Sequence, residues 1–200
     1  MILEKVQDEK KVDPRIKRTH QLLQKAFVEL MQEKGFQSIT VQDIAERATV
    51  NRVTFYAHFE DKYELLEHTI REMICQRLRS QLPEGSPFNP ENLRRLIQLV
   101  FEFLEEVGSH CPPPHGQLEP LMEKQIKAEL YEILQDWLRE TAPGESQGRP
   151  SADQAAMVAS WAIYGAAVQW LQQERKEPAG KYVQQVLPLI LGSLQPSTRS

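Results

Sequence analysis

Apolar residues recur at helical spacing through nearly the whole chain and nowhere alternate in sustained fashion, so the pattern predicts an all-α protein. In a first helix from Arg15 to Lys34, the residues Ile16, Leu23, Ala26, Phe27, Leu30 and Met31 share one face. Gly35 is expected to end it in the left-handed conformation, with Phe36 folding back onto the last turn. Val41, Ile44, Ala45 and Ala48 make a shorter stripe, which Thr40 can cap with Asp43 as its capping-box partner. After a turn at Thr49 and Val50, Asn51 can cap a further helix whose Phe55 and Phe59 point inward at i and i+4. Asp61 and Glu64 open a longer helix carrying Leu65, Leu66, Ile70, Met73, Ile74 and Leu78, ending before Pro83.

The stretch Pro83 to Pro90 reads as a turn. Asn89 and Pro90 then start a helix with Leu93, Leu96, Ile97, Val100, Phe101, Leu104 and Val107 inward, stopping near Gly108. The run from Cys111 to His115 contains three consecutive prolines and cannot be helical. A helix through Leu121, Met122, Ile126, Leu130, Ile133, Leu134, Trp137 and Leu138 follows, ending before a polar loop from Ala142 to Pro150. Ser151 with Gln154 caps a helix to about Arg175, and after Pro178 a last one runs from Lys181 to Leu194. These elements divide into a polar arm (1–14), an N-terminal domain (15–74) and a C-terminal helical domain (75–200), with the boundary inside the fourth helix.

The helix after Ser151 is apolar nearly all round and needs covering on every side. Small residues Ala155, Ala159, Ala162, Gly165 and Ala166 allow close approach of a neighbouring backbone, while Trp161, Tyr164, Val168 and Trp170 supply bulk. A second copy is the economical cover, so Ala155, Ala159, Ala162, Ala166, Trp170, Leu187 and Ile190 are the candidate interface of a homodimer. The uncharged run Ala155 to Gln173 is nearly long enough to cross a bilayer, but its alanine-rich content and its Ser160, Gln169, Gln172 and Gln173 argue against a membrane span.

Residues Ile39 to Lys62 thus form two short helices around a tight turn, the pattern of a DNA-reading helix-turn-helix, with the motif over about residues 39–59. Arg52, Thr54, Tyr56, Ala57 and His58 are left facing outward, offering donors, acceptors and small apolar groups to a major groove. Arg52 is the candidate for a bidentate guanine contact, worth about 1 to 3 kcal/mol of discrimination, and Val53 for contact with a thymine methyl. Thr40, at the start of the motif, joins the candidate contacts. Arg15, Lys17 and Arg18 cluster where the helix dipole disfavours cations, which points to DNA phosphates as their partners, the alternative being a solvated helix start at a cost of a few tenths of a kcal/mol each. Residues 1–62 hold 11 Lys and Arg against 10 Asp and Glu, and the remainder 13 against 18, so the balance favours a small docking surface over nonspecific coating of nucleic acid.

The run Thr-Val-x-Asp-Ile-Ala-x-x-Ala from Thr40, followed by Val-x-x-x-Thr-Phe-Tyr-x-His-Phe-x-x-Lys from Val50, resembles the TetR/AcrR family of bacterial transcriptional regulators over about Arg15 to Ile74. The resemblance implies DNA contacts from Thr54, Tyr56, His58 and Lys62, with Tyr56 and Lys62 holding phosphates. Alternatively, the Tyr56 ring packs in the domain and His58 is hydrogen-bonded within the fold. Two positions depart from the family: Thr49 stands where the turn commonly has glycine, and Val53 where a small residue or proline is frequent. A β-branched residue at positive φ is strained, so the turn either avoids that conformation or stores about 1 kcal/mol. The resemblance further implies a homodimeric repressor on a palindromic double-stranded operator, released when a small molecule moves helix four and alters the spacing of the recognition helices. The rival reading is a ligand-binding or enzymatic helical bundle whose N-terminal unit is structural.

Other chemistry is sparse. Cys75 and Cys111 have no paired spacing, and His110, Cys111 and His115 lack a nearby carboxylate to complete a metal set. No phosphate loop, nucleophile elbow, metalloprotease helix or paired-carboxylate signature is present, so neither an enzyme nor a cofactor is expected. Phe101, Phe103, Met122, Trp137, Trp161 and Tyr164 are candidates to line a pocket for an apolar or aromatic effector. The N-terminus lacks a signal-peptide pattern, and a cytoplasmic location is expected.

Overall fold

A computed structural model describes residues 13–82, 85–110, 119–141, 151–173 and 177–194, without the side chains of residues 109 and 110. Residues 1–12 of the expected polar arm, the proline corner with its His110, Cys111 and His115 cluster, and the loop from Ala142 to Pro150 lie outside these described positions wholly or in the side chains that matter, while the arm's last two residues, Asp13 and Pro14, open the first helix instead. Every regular element among the described residues is helical. The chain divides into two compact units at Thr69 and Ile70, inside the fourth helix, five residues before the boundary read from the pattern.

The first unit contains α1 (Pro14–Lys34), α2 (Val41–Arg47), α3 (Arg52–Tyr56) and the start of α4 (Lys62–Gln81). Asp13 caps α1 by accepting from the Arg15 N–H at 2.9 Å, and Pro14 takes the first helical position, where no donor is needed. Full burial on α1 begins at Leu23, so Ile16, two turns earlier, is 40% exposed rather than part of the stripe. Gly35 stops α1 at φ 71°, but its ψ of 157° lies outside the left-handed helical region expected of it. Its N–H still takes the Met31 carbonyl, and the chain turns through a short 3-10 segment, Phe36–Ser38, that buries Phe36 edge-on to Phe27. Three ion pairs among the described residues then tie α2 to α1: Arg47 forks onto Glu33 at 2.7 and 2.8 Å and reaches Glu29 at 3.4 Å, and Lys34 meets Asp43 at 2.8 Å.

α2 ends in a complete Schellman motif, in which Val50 N–H bonds to the Ala45 carbonyl and Thr49 N–H to the Glu46 carbonyl. Thr49 occupies the position at φ 57°, so the turn adopts the conformation that a β-branched residue resists. Left-handed geometry costs such a residue about 1–2 kcal/mol, whereas glycine loses about 0.5–1 kcal/mol through its freer unfolded chain. Thr49→Gly is therefore expected to stabilise the first unit by about 0.5–1 kcal/mol. Urea denaturation checks this, and a lowered midpoint would contradict the strain.

α4 begins at Asp61, whose Oδ1 accepts from the N–H groups of Tyr63 and Glu64. The Glu64 carboxylate reaches back one residue further than a capping box requires, to the Glu60 N–H at 2.6 Å. The second unit comprises the rest of α4, α5 (Pro90–His110), α6 (Glu119–Thr141), α7 (Ala152–Leu171) and α8 (Ala179–Leu194). Reciprocal Ser151 and Gln154 bonds cap α7. α7 is the central helix, packing on α5, α6 and α8, and Ala156, Ala159, Ile163 and Ala167 line its close contacts. Phe101 fills the centre, its ring 5.3 Å from Trp170 and 5.9 Å from Tyr182.

Because α7 is covered largely by its own chain, part of the expected interface is internal: Ala155, Ala159, Trp170 and Ile190 are buried in the core of the unit. Ala162 is exposed, while Ala166 and Leu187 are half-buried. The apolar surface left open is rotated by one residue, about 100° around the helix. It consists of Met157, Val158 and Trp161 (58% exposed) on α7 and Leu189 (75%) on α8.

The expected effector pocket is likewise redistributed. Phe101, Phe103 and Tyr164 are packed in the core, Met122 is half-buried and Trp161 faces outward with the Lys127 ammonium over its ring. Trp137 alone of the six lines a cleft of about 360 Å³ between α4 and α6, together with Cys75, Leu78, Glu129, Glu132 and Asp136. Glu129 is buried and paired with Arg71 at 3.0 Å; burial, and then Glu129, push the Glu132 carboxyl up, while burial pushes the Cys75 thiol up to about 12. No helix among the described residues is long and apolar enough to cross a membrane.

Candidate nucleic-acid interface

α3 has five residues and is held from both ends. Asn51 Oδ1 accepts from the Val53 N–H at 2.8 Å, and the buried rings of Phe55 and Phe59, 5.9 Å apart, anchor the helix in the unit. The helical repeat then turns Arg52, Val53 (75% exposed), Tyr56 (47%) and Ala57 outward, with Thr54 and His58 half-buried at the margins. Arg52 and Tyr56, i and i+4, meet: Arg52 Nη2 donates to the Tyr56 hydroxyl at 3.0 Å, and the guanidinium carbon lies 5.4 Å from the ring centroid. The i and i+4 spacing that permits this pairing is visible in the sequence, whereas the hydrogen bond itself is set by the side-chain conformations.

Arg15, Lys17 and Arg18 all lie exposed on the first turns of α1. Asp13 already supplies a carboxylate at that helix end, so the dipole alone does not call for an external anion. Thr40 is exposed, yet its backbone N–H and its hydroxyl both donate to Asp43 Oδ2, at 2.8 and 2.6 Å. No donor is left on Thr40 for a phosphate while the capping box stands. Hydrogen bonds from Lys34 and Thr40 hold the Asp43 carboxyl well below the usual carboxylate range.

Lys62 departs furthest from its expected role. Its ammonium donates to the carbonyls of Ile39 (2.8 Å), Phe36 (3.1 Å) and Gln37 (3.3 Å), and it sits 4.6 Å from the Phe36 ring centroid. An ammonium has three N–H donors, and here each has a carbonyl, so these contacts serve the fold and not a phosphate. Burial lowers the Lys62 pKa. A lysine at a helix start reads as a solvated or DNA-facing charge, and nothing in the sequence announces three converging carbonyls.

His58 packs edge-on against His20 at 5.0 Å, and His20 in turn lies 4.8 Å from Phe59 and 5.0 Å from His68, whose Nδ1 accepts from the Gln24 amide at 2.9 Å. Among the described residues no cluster has the geometry of a metal site. Burial, reinforced by His68 and then His58, pulls the His20 pKa down to about 4, with Glu64 opposing. The unfolded chain therefore takes up this proton first, and stability held above pH 6.5 is lost as pH falls toward 4. The melting temperature is expected to drop across that window, and His20→Gln to flatten the drop. An identical pH profile for the variant would refute the assignment.

Comparison with known proteins agrees with this geometry. The sequence model of a family described as bacterial regulatory proteins, tetR family, matches residues 23–69. The chain is 36% identical over 108 residues to the HTH-type transcriptional regulator YxbF of Bacillus subtilis (strain 168), covering 54% of this chain but only 28% of that protein. It is 26% identical over 181 residues to the HTH-type transcriptional repressor DhaR of Mycobacterium sp. (strain GP1), covering 84% of this chain and 88% of the relative. Among solved structures, the fatty acid degradation regulator FadR of Bacillus halodurans superposes with a TM-score of 0.55 at 21% identity, over 92% of this chain and 97% of that one. A TetR transcriptional regulator from Streptococcus agalactiae 2603V gives 0.57 at 21% identity, over 88% and 95%. At that identity the structures attest the fold, whereas the family likeness rests on the helix-turn-helix residues: the DNA-binding unit of this chain matches the tetR family of bacterial regulatory proteins over residues 23–69.

Proposed function

We propose that the chain is a sequence-specific transcriptional regulator acting in the cytoplasm as a homodimer, a repressor that docks α3 of each copy into the major groove of a palindromic operator. The observation that carries this reading is α3 itself: a helix anchored by Phe55 and Phe59 that leaves Arg52, Val53 and Tyr56 exposed together. Arg52, in the first turn, is placed where the recognition helices of this motif reach base edges. Thr54, Ala57 and His58 flank it, and Arg15, Lys17 and Arg18 supply exposed cations for phosphates. The apolar surface of Met157, Val158, Trp161 and Leu189 supports a dimer through α7 and α8. A small-molecule effector in the second unit is supported by two structurally similar regulators, FadR of Bacillus subtilis in complex with stearoyl-CoA and RolR in complex with resorcinol.

Gel-shift titration against the DNA upstream of the chain's own gene, across salt concentrations, tests the reading. A sharply preferred duplex is expected, and Arg52→Ala should lower discrimination at one base pair by about 1–3 kcal/mol without unfolding the unit. Equal affinity for every duplex would instead favour a helical bundle whose N-terminal unit is structural.

A further inference from the structure

Arg52 is the first residue of α3 and Tyr56 the last, one turn apart on its open face. No carboxylate among the described residues pairs with Arg52, and its guanidinium rests instead on a phenol. That phenol is itself fixed, because the buried ring of Phe55 meets the Tyr56 ring edge-on at 5.5 Å and 84°. A guanidinium carries five N–H groups, of which the bond to Tyr56 uses one, leaving four for a two-pronged contact with the O6 and N7 of a guanine. The Tyr56 oxygen accepts from Arg52, so its own O–H proton remains available, and the acceptors bordering a groove are phosphate oxygens.

We propose that Tyr56 is the positioning residue of the base-reading unit: its hydroxyl donates to a DNA phosphate while accepting from Arg52, which joins backbone docking and the reading of one guanine in a single hydrogen-bonded chain. This rests on the reading of α3 as the DNA-docking helix. It differs from a plain phosphate contact in a measurable way, since a phosphate contact contributes to affinity for every sequence alike. Here loss of the Tyr56 hydroxyl also frees the guanidinium and weakens the preference at the base that Arg52 reads.

A preferred duplex is first selected from a randomised pool with the parent protein, and its single-base variants are then titrated with the parent, Tyr56→Phe, Arg52→Ala and the double variant. Tyr56→Phe keeps the ring and its packing, and matched melting curves confirm that the fold is intact. Tyr56→Phe is expected to weaken all duplexes several-fold and, in addition, to reduce the guanine preference at one position several-fold. Arg52→Ala should abolish preference at that same position, and the double variant should show no further loss of preference there. If Tyr56→Phe weakens every duplex equally and leaves the base preferences of the parent intact, Tyr56 is a phosphate ligand only and the positioning role is wrong. If the two single variants change preference at different positions, the coupling is wrong. A parent protein that selects no duplex would overturn the DNA-docking reading and this inference with it.

Discussion

Phe55→Ala is expected to destabilise the first unit by about 3–5 kcal/mol and to abolish sequence-specific DNA binding. The ring is fully buried and packs between Tyr56 and Phe59 at 5.5 and 5.9 Å, so truncation leaves a cavity that neighbours on short helices close only in part. α3 has five residues and cannot persist without tertiary support, and Phe55 is its one buried side chain. The loss is a large fraction of the 5–15 kcal/mol typical of a domain, so the exposed surface of Arg52 and Tyr56 would lose its shape along with its anchor. Val53→Ala, at an exposed neighbour, should stay within about 0.5 kcal/mol. An unchanged urea midpoint for Phe55→Ala would show that α3 is anchored elsewhere.

The second large effect concerns α7. Ala162→Glu should leave each copy folded, because position 162 is exposed, yet dissociate the proposed dimer by placing an unpaired carboxylate against the partner, at about 3–5 kcal/mol. Ala159→Glu, one turn of α7 away in effect but facing inward, should unfold the second unit, since Ala159 is buried among α7's own neighbours. Analytical ultracentrifugation with circular dichroism separates the outcomes: folded monomer for the first, loss of helix for the second. A parent protein that sediments as a monomer at micromolar concentration would remove the dimer from the proposal.

These two alanines mark where the sequence stops being legible. Element positions followed from local chemistry: Thr40 with Asp43, Ser151 with Gln154, Asn51, and Pro90 behind Asn89 each announce a helix start, and each is made as local bonding rules require. The inward pair Phe55 and Phe59 was equally readable, because a polar face opposes it. α7 has no such opposition. An apolar residue on every side carries no direction, so the sequence revealed that the helix needed cover but not which side its own chain supplies. The aromatic residues failed for a related reason: Phe101, Tyr164 and Trp161 are alike in composition terms, while their neighbours place two in the core and one on the surface. Thr49 lay between these cases, since the turn and its cost were foreseeable but the choice to bear the strain was not.

The carbonyls of Phe36, Gln37 and Ile39 belong to a segment that leaves the helical ladder, and they converge on one atom, the Lys62 nitrogen. The loop between the first two helices is thus latched to the start of the fourth by a side chain. The latch has a definite stereochemistry: a tetrahedral ammonium directs three N–H groups along diverging axes from one atom, whereas a guanidinium would spread its donors in a plane over three nitrogens. Arginine at position 62 would therefore keep the charge without reproducing the geometry of the latch, and acylation of the amine, which removes both the charge and two of the donors, would unfasten the loop chemically without altering the backbone.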